Sequence, residues 1–455
     1  MKRTLKDFAV AMNGALVGDD ALFGAVSIDS RSCSKGELFI ALSGENFDGH
    51  DYVSAAVERG VVGVVVQRLT NVSVPQILVS DTLQALQQAG AAWRQLFAIP
   101  VVGVAGSNGK TTTKEMIASV LSALGPCLAT KGTLNNHIGV PLTLLSIDSE
   151  HATAVIEIGA NHPGEVASLV ALVQPTVGVV TNAGAEHLEG FGSLAGAAHA
   201  EGELYAGMAA TAIAVMNFDD EFLHLWQKMN RADTVIGFGS HPSADCRPVS
   251  AIKAQGAAGE RQSFTLQTPA GQVLVQLSLA GRHNVQNALA AAAVAHAVGV
   301  TPERISAGLA AMRAVKGRLE VKRAAAGGYV IDDSYNANPS SLEAGLQVLA
   351  GSAGKRWVVL GNMAELGAAA VEAHRDAGRS AKKAGATRLF AIGDLAAEAA
   401  ATFGEGSEVF FDCASLVDRV RSHVCADVTV LVKGSRVNRL ERVVEALVTE
   451  LTPGV

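Results

Sequence analysis

The sequence predicts an α/β protein of three domains: a small α/β domain, a central parallel-sheet domain carrying an antiparallel hairpin, and a Rossmann-like, doubly wound C-terminal domain. Three observations lead there. The chain has 455 residues, which at about 150 residues per domain suggests roughly three units. Short apolar runs alternate with helix-length segments, the signature of buried parallel strands joined by helices. One stretch between residues 263 and 280 switches to period two, as a hairpin with one buried face does.

The elements follow in order. Up to residue 80, Leu38–Leu42 and Val61–Val66 read as buried strands around a helix at Tyr52–Arg59. A helix over Leu83–Phe97 stops before Pro100. Val101–Ala105 is a strand, followed by a Gly-rich loop and a helix over Thr111–Leu124; Ala154–Ile158 and Val177–Thr181 are further buried strands. Phe264, Leu266, Val273, Val275, Leu277 and Leu279 alternate around a turn at Pro269–Gly271, and the Ala-rich Asn284–Ala297 reads as a buried helix. From residue 314 a new series begins, with strands at Tyr329–Ile331, Trp357–Leu360, Leu389–Ile392, Val409–Phe411 and Val428–Val432. The domains are expected at 1–80, 81–313 and 314–455.

Composition removes several function classes. Hydrophobic residues are 49% and charged residues 17%, which excludes a disordered chain. Lys and Arg number 36 against 43 Asp and Glu, a net charge of −7 with no dense basic run, so no nucleic-acid partner is expected. The apolar stretch Ser168–Ala185 is broken by Gln174, Pro175 and Thr176, so no membrane insertion is expected. Lys6, Asp7 and Asn13 interrupt the N-terminus too early for a signal peptide. Five scattered cysteines without Cys-x-x-Cys spacing argue against disulfides or zinc and point to a cytoplasmic protein.

The chemistry is sharpest at Gly103–Thr112. Gly106 and Gly109 allow a tight turn in which N–H groups of Ser107, Asn108 and their neighbours face inward, and the following helix adds its positive end. Such a loop cradles phosphates, with Lys110 reaching the terminal phosphates and the Thr111 hydroxyl reaching Mg²⁺. Val104 stands where the usual Gly-x-x-x-x-Gly-Lys pattern has its first glycine. Glu157 is a charge inside an apolar strand pattern, either a metal ligand or a strand end in water. His187 follows a similar strand, and on spacing alone the loop-residue reading is the better one.

Taken together, Gly106–Thr112, the Glu157 strand, Asn182–His187, Gly281–Asn287, Gly317–Glu320, Asp332–Pro339 and Lys433–Arg436 resemble the Mur ligases of peptidoglycan precursor synthesis, in order and over nearly the whole chain. The resemblance implies a small UDP-sugar domain, a central P-loop ATPase domain and a C-terminal ligase domain. It also implies a reaction, in which ATP phosphorylates a carboxylate of a UDP-linked muramoyl peptide and an amine attacks the acyl phosphate. Lys110, Glu157, His187 and Arg318 would be catalytic. The loop from Gly106 to Thr112, with Asn287, Asn336, Asp333 and Arg318, would bind ATP: Asn287 and Asn336 at adenine, Asp333 at ribose. Thr111 and Glu157 would hold one Mg²⁺ and His187 a second. Ser30, Arg31, Asn46, Asp48 and His50 would hold the uridine diphosphate, Thr133, Asn135 and Asn136 the peptide, and Lys433 the peptide or acyl phosphate. For Asp48-Gly49 a simple turn fits as well, for Thr133, Asn135 and Asn136 loop capping, and for Lys433 and Arg436 solvated charge at a strand end.

Within the family, Asn135–Pro141, Asp333–Pro339, Gly361–Gly367 and His374 resemble the members that add D-alanyl-D-alanine to UDP-muramoyl tripeptide, and the Asp-Asn-Pro-Arg motif of diaminopimelate addition is absent. Small-molecule substrates and a monomer are the partners this implies. One departure stands out. Family members carry a carbamylated lysine after the His187 segment, and this chain has Glu201 in that place. Glu201 is expected to supply the negative charge at the second metal without bicarbonate; the plain alternative is an exposed helix glutamate. Sister ligases adding diaminopimelate or lysine, folylpolyglutamate synthases and a non-ligase P-loop ATPase are the competing readings. Lys316–Arg318 is a candidate hinge, and no residue stands out as a general base.

Overall fold

The computed structural model describes residues 3–44, 47–256 and 259–448. Asn46 lies outside the described residues.

Three sheets carry the three expected layers. In the first, Ala15–Val17, Gln76–Leu78, Gly63–Val66, Leu38–Ile40 and Val26–Ser27 lie side by side, parallel except at the Ala15–Val17 edge. The helix Thr82–Arg94 leaves this layer and docks on the next. Trp93 Nε1 donates to Ile147 O at 2.9 Å, and the buried Arg94 guanidinium donates to the carbonyls of Phe97, Val173 and Gln174.

The second sheet is wholly parallel, in the order Thr234–Phe238, Ile213–Asn217, Val177–Val180, Val101–Ala105, Thr153–Glu157, Cys127–Ala129. Val, Ile and Ala fill its central strands, which are buried on both faces. The strand that feeds the glycine-rich loop therefore lies between the strand ending in Glu157 and the strand leading to His187. One face is covered by the helix Arg282–Ala297, buried from Asn284 to Ala295 apart from Gln286, beside the helix Lys110–Leu121.

The expected hairpin is present as Arg261–Thr268 paired with Gly271–Leu277, with Phe264 opposite Val275 and Leu266 opposite Val273. Two short strands, Arg247–Pro248 and Lys253–Gln255, extend it to four. They escape the sequence pattern because none of their side chains is buried; Lys253–Gln255 is exposed throughout.

The third sheet runs Glu320–Arg323, Tyr329–Asp333, Val428–Lys433, Lys355–Gly361, Arg388–Ile392, Ser407–Phe410, parallel except for its first pair. Among the described residues no helix is long and apolar enough to cross a membrane.

Candidate active site

The C-terminal ends of three adjacent central strands face the C-terminal ends of Tyr329–Asp333 and Val428–Lys433 across a cavity of about 680 Å³. Parallel sheets bind ligands at this edge because loops and helix N-termini converge there.

The glycine-rich loop forms one wall. Gly106 has φ 119°, and a Cβ there would stand 2.2 Å from Thr181 Oγ1; at Gly109, φ 81°, it would meet Asn287 Oδ1 at 2.5 Å. Both glycines are thus required by conformation and by space. The segment Thr181–Gly184 braces the loop. Ser107 N–H donates to Asn182 O, Asn108 N–H to Asn182 Oδ1, Thr181 Oγ1 to Asn108 O, and Gly184 N–H to Ser107 Oγ.

Lys110 has three ammonium hydrogens and three acceptors: Gly106 O at 2.6 Å, Ser107 O at 3.3 Å and Glu186 Oε1 at 3.1 Å. Burial, the largest influence, lowers its pKa, but Glu186, Glu201 and Glu157 together outweigh it and leave it raised. Burial, and Glu201 nearby, push the Glu186 carboxyl up to about 7 against the pull of Lys110.

Glu157 is 1% exposed at the end of its strand. Its Oε1 accepts from Asn135 Nδ2 at 2.8 Å, whereas Oε2 is buried without a hydrogen-bond partner, 3.7 Å from Lys114 Nζ. An orphaned carboxylate oxygen in a cavity that Thr111 also lines is the donor chemistry a hard divalent cation takes. Among the described residues no group of three His, Cys, Asp or Glu side chains is gathered to hold a metal alone, so a cation here draws the rest of its oxygens from phosphate and water.

His187 lies seven residues past the Val177–Val180 strand and caps the short helix Leu188–Phe191 with φ 47°. Its Nδ1 stands 2.5 Å from Glu365 Oε2 of the C-terminal domain, outside good hydrogen-bond geometry. Glu365 and Leu319 also have positive φ, 63° and 53°. Three non-glycine residues in left-handed conformations thus gather at one domain junction, where stored strain commonly marks a working surface. Buried His374 shapes the Glu365 loop, accepting from Met363 N–H at Nε2 and donating from Nδ1 to Ala370 O.

The facing wall belongs to the C-terminal domain. Buried Lys433 is ion-paired with Asp333 and donates to Asn336 O at 3.1 Å, and burial lowers its pKa. Arg318 lies over the Tyr335 ring at 4.2 Å. Asn338 caps the helix Pro339–Ala350; its Nδ2 donates to Asn108 Oδ1 at 2.9 Å, and Asn108 Nδ2 donates to Ser340 Oγ at 3.0 Å. Tyr335 OH donates to Thr133 Oγ1.

The cavity brings together Ser107–Thr112, Thr133, Asn135, Asn136, Glu157, His187, Asn287, Arg318, Asp333, Asn336 and Lys433. Two expectations are corrected. Glu201 is not at the cavity surface and is not exposed. It is 2% exposed on the helix Leu194–Ala206, and its Oε2 accepts Gly106 N–H at 2.6 Å from beneath the loop. A carboxylate so engaged and so sealed braces the loop from below. Lys433 is a buried partner of Asp333, not a solvated charge.

Ser30, Arg31, Asp48 and His50 lie apart from the cavity, in the first domain. Arg31 is exposed and forks onto Asp29 at 2.8–2.9 Å. Asp48 accepts from Ser43, Arg68, the His50 backbone and His50 Nδ1, and Gln67 N–H donates to His50 Nε2. The His50 hydrogen therefore sits on Nδ1, and both ring nitrogens are engaged within the domain. These contacts tie His50 into the hydrogen-bond network of its own domain.

Sequence reasoning missed Glu186, Lys114 and Glu365. Glu186 stands beside His187 in a charged segment that already explained itself. Lys114 falls one helical turn after Lys110, and its full burial, with Nζ 2.6 Å from Thr130 O, left no mark in the pattern. Glu365 carried no charge partner within its own segment.

A phosphate-binding loop, an acidic strand end and a second α/β domain closing over both define a nucleotide-dependent ligase rather than a one-domain ATPase. The comparisons agree. The chain matches the Mur ligase family catalytic domain over residues 23–100, the Mur ligase middle domain over 104–295 and the Mur ligase, glutamate ligase domain over 317–436. It is 43% identical over 446 residues to the UDP-N-acetylmuramoyl-tripeptide--D-alanyl-D-alanine ligase of Escherichia coli (strain K12), covering 98% of each chain. Its fold overlays MurF from Acinetobacter baumannii with a TM-score of 0.92, at 34% identity over 99% of both chains. MurF ligase from Thermotoga maritima, solved in complex with ADP, overlays with a TM-score of 0.83 at 27% identity, covering 93% of this chain and 96% of that one. The chain belongs to the Mur ligase family.

Proposed function

We propose that this enzyme joins D-alanyl-D-alanine to UDP-N-acetylmuramoyl tripeptide, converting ATP to ADP and phosphate through an acyl phosphate, in the cytoplasm and as a monomer. The observation that carries the reading is the single cavity in which the phosphate loop, Glu157 and His187 face Arg318, Asp333, Asn336 and Lys433. The whole-length similarity to ligases of that name supports the choice of amine.

The residues divide the work by position. The N–H groups of the loop and the N-terminus of the helix Lys110–Leu121 hold the β- and γ-phosphates. Lys110 and Arg318, from opposite walls, neutralise charge as the γ-phosphoryl group moves to the peptide carboxylate. Asn287 and Asn336 flank the adenine side, and Asp333, held by Lys433, faces the ribose. Thr133, Asn135 and Asn136 face the muramoyl peptide, while Ser30 and Arg31 lie in the domain that takes the uridine diphosphate. Thr111 and the free oxygen of Glu157 would hold one Mg²⁺, and His187 stands where a second would be held. Magnesium, when bound, screens phosphate charge and polarises the transferred group. The cavity is walled by residues of both the central and the C-terminal domains.

Phosphate release from ATP, measured with UDP-muramoyl tripeptide and with D-Ala-D-Ala, diaminopimelate or lysine as amine, tests the reading. Turnover with the dipeptide alone and a product of pentapeptide mass are the expected results. Turnover with a single amino acid moves the assignment to a sister ligase, and release indifferent to every amine removes the ligase reading.

A further inference from the structure

Asn108 lies between Ser107 and Gly109 in the phosphate loop, and its backbone and side chain serve different domains. Its N–H donates to Asn182 Oδ1 at 3.1 Å, and its carbonyl accepts from Thr181 Oγ1 at 2.7 Å and Asn182 Nδ2 at 2.9 Å. The side chain instead reaches across to the C-terminal domain. Asn108 Nδ2 donates to Ser340 Oγ at 3.0 Å, Ser340 Oγ donates to Asn338 Oδ1 at 3.0 Å, and Asn338 Nδ2 donates back to Asn108 Oδ1 at 2.9 Å. Three side chains thus close a ring across the domain boundary.

The ring admits one orientation. Asn338 Oδ1 also accepts the Ser341 N–H at 2.8 Å, as the cap of the helix Pro339–Ala350. A backbone N–H can only donate, so the atom it meets is the oxygen, and Asn338 presents its amide nitrogen to Asn108. That sets the Asn108 amide in turn, oxygen towards Asn338 and nitrogen towards Ser340. Gly184 leaves the room for it: a Cβ there would stand 2.7 Å from Asn108 Nδ2 and 3.0 Å from Ser340 Oγ. Both ends of the Asn108 amide are therefore committed to the C-terminal domain.

The groups that this docking places lie in the same segment. Asp333, Tyr335 and Asn336 come just before Asn338 in the chain, and Arg318 lies over the Tyr335 ring at 4.2 Å. Holding Asn338 on the loop fixes how these groups stand relative to Lys110. Group transfer is sensitive to such placement, and a misplacement of about 1 Å can cost about 10²-fold in rate. We propose that Asn108 is a positioning residue whose side chain docks the C-terminal domain on the phosphate loop and so sets Arg318 opposite Lys110 for phosphoryl transfer. This rests on the reading of the cavity as an ATP-dependent ligase site.

The test is a double-variant cycle on the full chain, Asn108→Ala, Ser340→Ala and the two combined, read by amine-dependent phosphate release. Ser340 is exposed, and its loss leaves the bond from Ser341 N–H to Asn338 in place. Each single variant removes two neutral hydrogen bonds of the ring and should lower kcat by about tenfold. KM for the UDP-linked tripeptide should stay within about threefold, because its proposed contacts lie in the other two domains. The combined variant should fall within about threefold of the weaker single one, since both disrupt one ring. A loss of kcat in Asn108→Ala that Ser340→Ala does not share overturns the inference, as do losses that multiply in the combined variant or a kcat unchanged in both. A parent that releases no phosphate in response to any amine removes the ligase reading itself, and the role of Asn108 with it.

Discussion

Two polar clusters in this molecule look alike in sequence and differ in how their atoms are used. In the first domain Asp48, His50, Arg68 and Ser43 form a closed set, with both His50 nitrogens engaged internally. In the interdomain cavity Glu157 Oε2 is buried without a hydrogen-bond partner, and His187, Leu319 and Glu365 hold left-handed backbones. Completed hydrogen bonding marks polar residues that hold the fold. Orphaned atoms and strained backbone mark those kept available for ligands.

That contrast can be broken or sharpened by substitution. The largest effect is expected from Lys110→Ala, which removes the cation at the phosphates. Steady-state assays should show kcat reduced by roughly 10²–10³-fold.

A pH effect comes next. Burial depresses the His283 pKa to about 4, so the imidazole is neutral in the folded cavity and protonates near 6.5 when unfolded. The unfolded chain therefore binds the extra proton between those values, and stability falls as pH drops through the window. The upper limit is about 1.4 kcal/mol for each pH unit. Thermal melts of His283→Gln from pH 7 to 4 should show a flatter acid limb than the parent.

A matched pair follows. Glu201→Ala strands the Gly106 N–H and His50→Ala strands the Gln67 N–H, so each should cost about 1–3 kcal/mol in denaturant unfolding. Only the Glu201 variant should also raise KM for ATP, because only it loosens the phosphate loop. Parent activity should be indifferent to removal of bicarbonate, because a glutamate at position 201 offers no amine to carbamylate. The smallest effect is expected at Arg31, exposed and, among the described residues, ion-paired with Asp29 alone. Arg31→Ala should leave melting unchanged while raising KM for the UDP-linked substrate several-fold.

The sequence revealed what depends on local pattern. Val101–Ala105 followed by Gly106 and Gly109 is legible because an apolar strand and two glycines admit few structures. The hairpin about Phe264 and Val275 showed through its period of two. Residues whose meaning depends on distant partners stayed hidden. Lys433 meets Asp333 across 100 positions, and both look like surface charges at strand ends. Glu201 reads as a ligand or an exposed side chain until its helix is seen to run beneath Gly106. Helix ends shifted by a few residues, as at Thr82–Arg94, because the last turns are decided by what they pack on.

Among the described residues, beside the contact of His187 with Glu365, the side-chain hydrogen bonds that join the phosphate loop and Thr133 to the C-terminal domain are uncharged. Asn108 meets Asn338 and Ser340, and Tyr335 meets Thr133, through amides and hydroxyls. Dissolved ions shrink the reach of charges and leave neutral dipoles largely untouched. Concentrated salt should therefore weaken the grip on nucleotide while the two domains remain seated, separating affinity from architecture along a single axis of ionic strength.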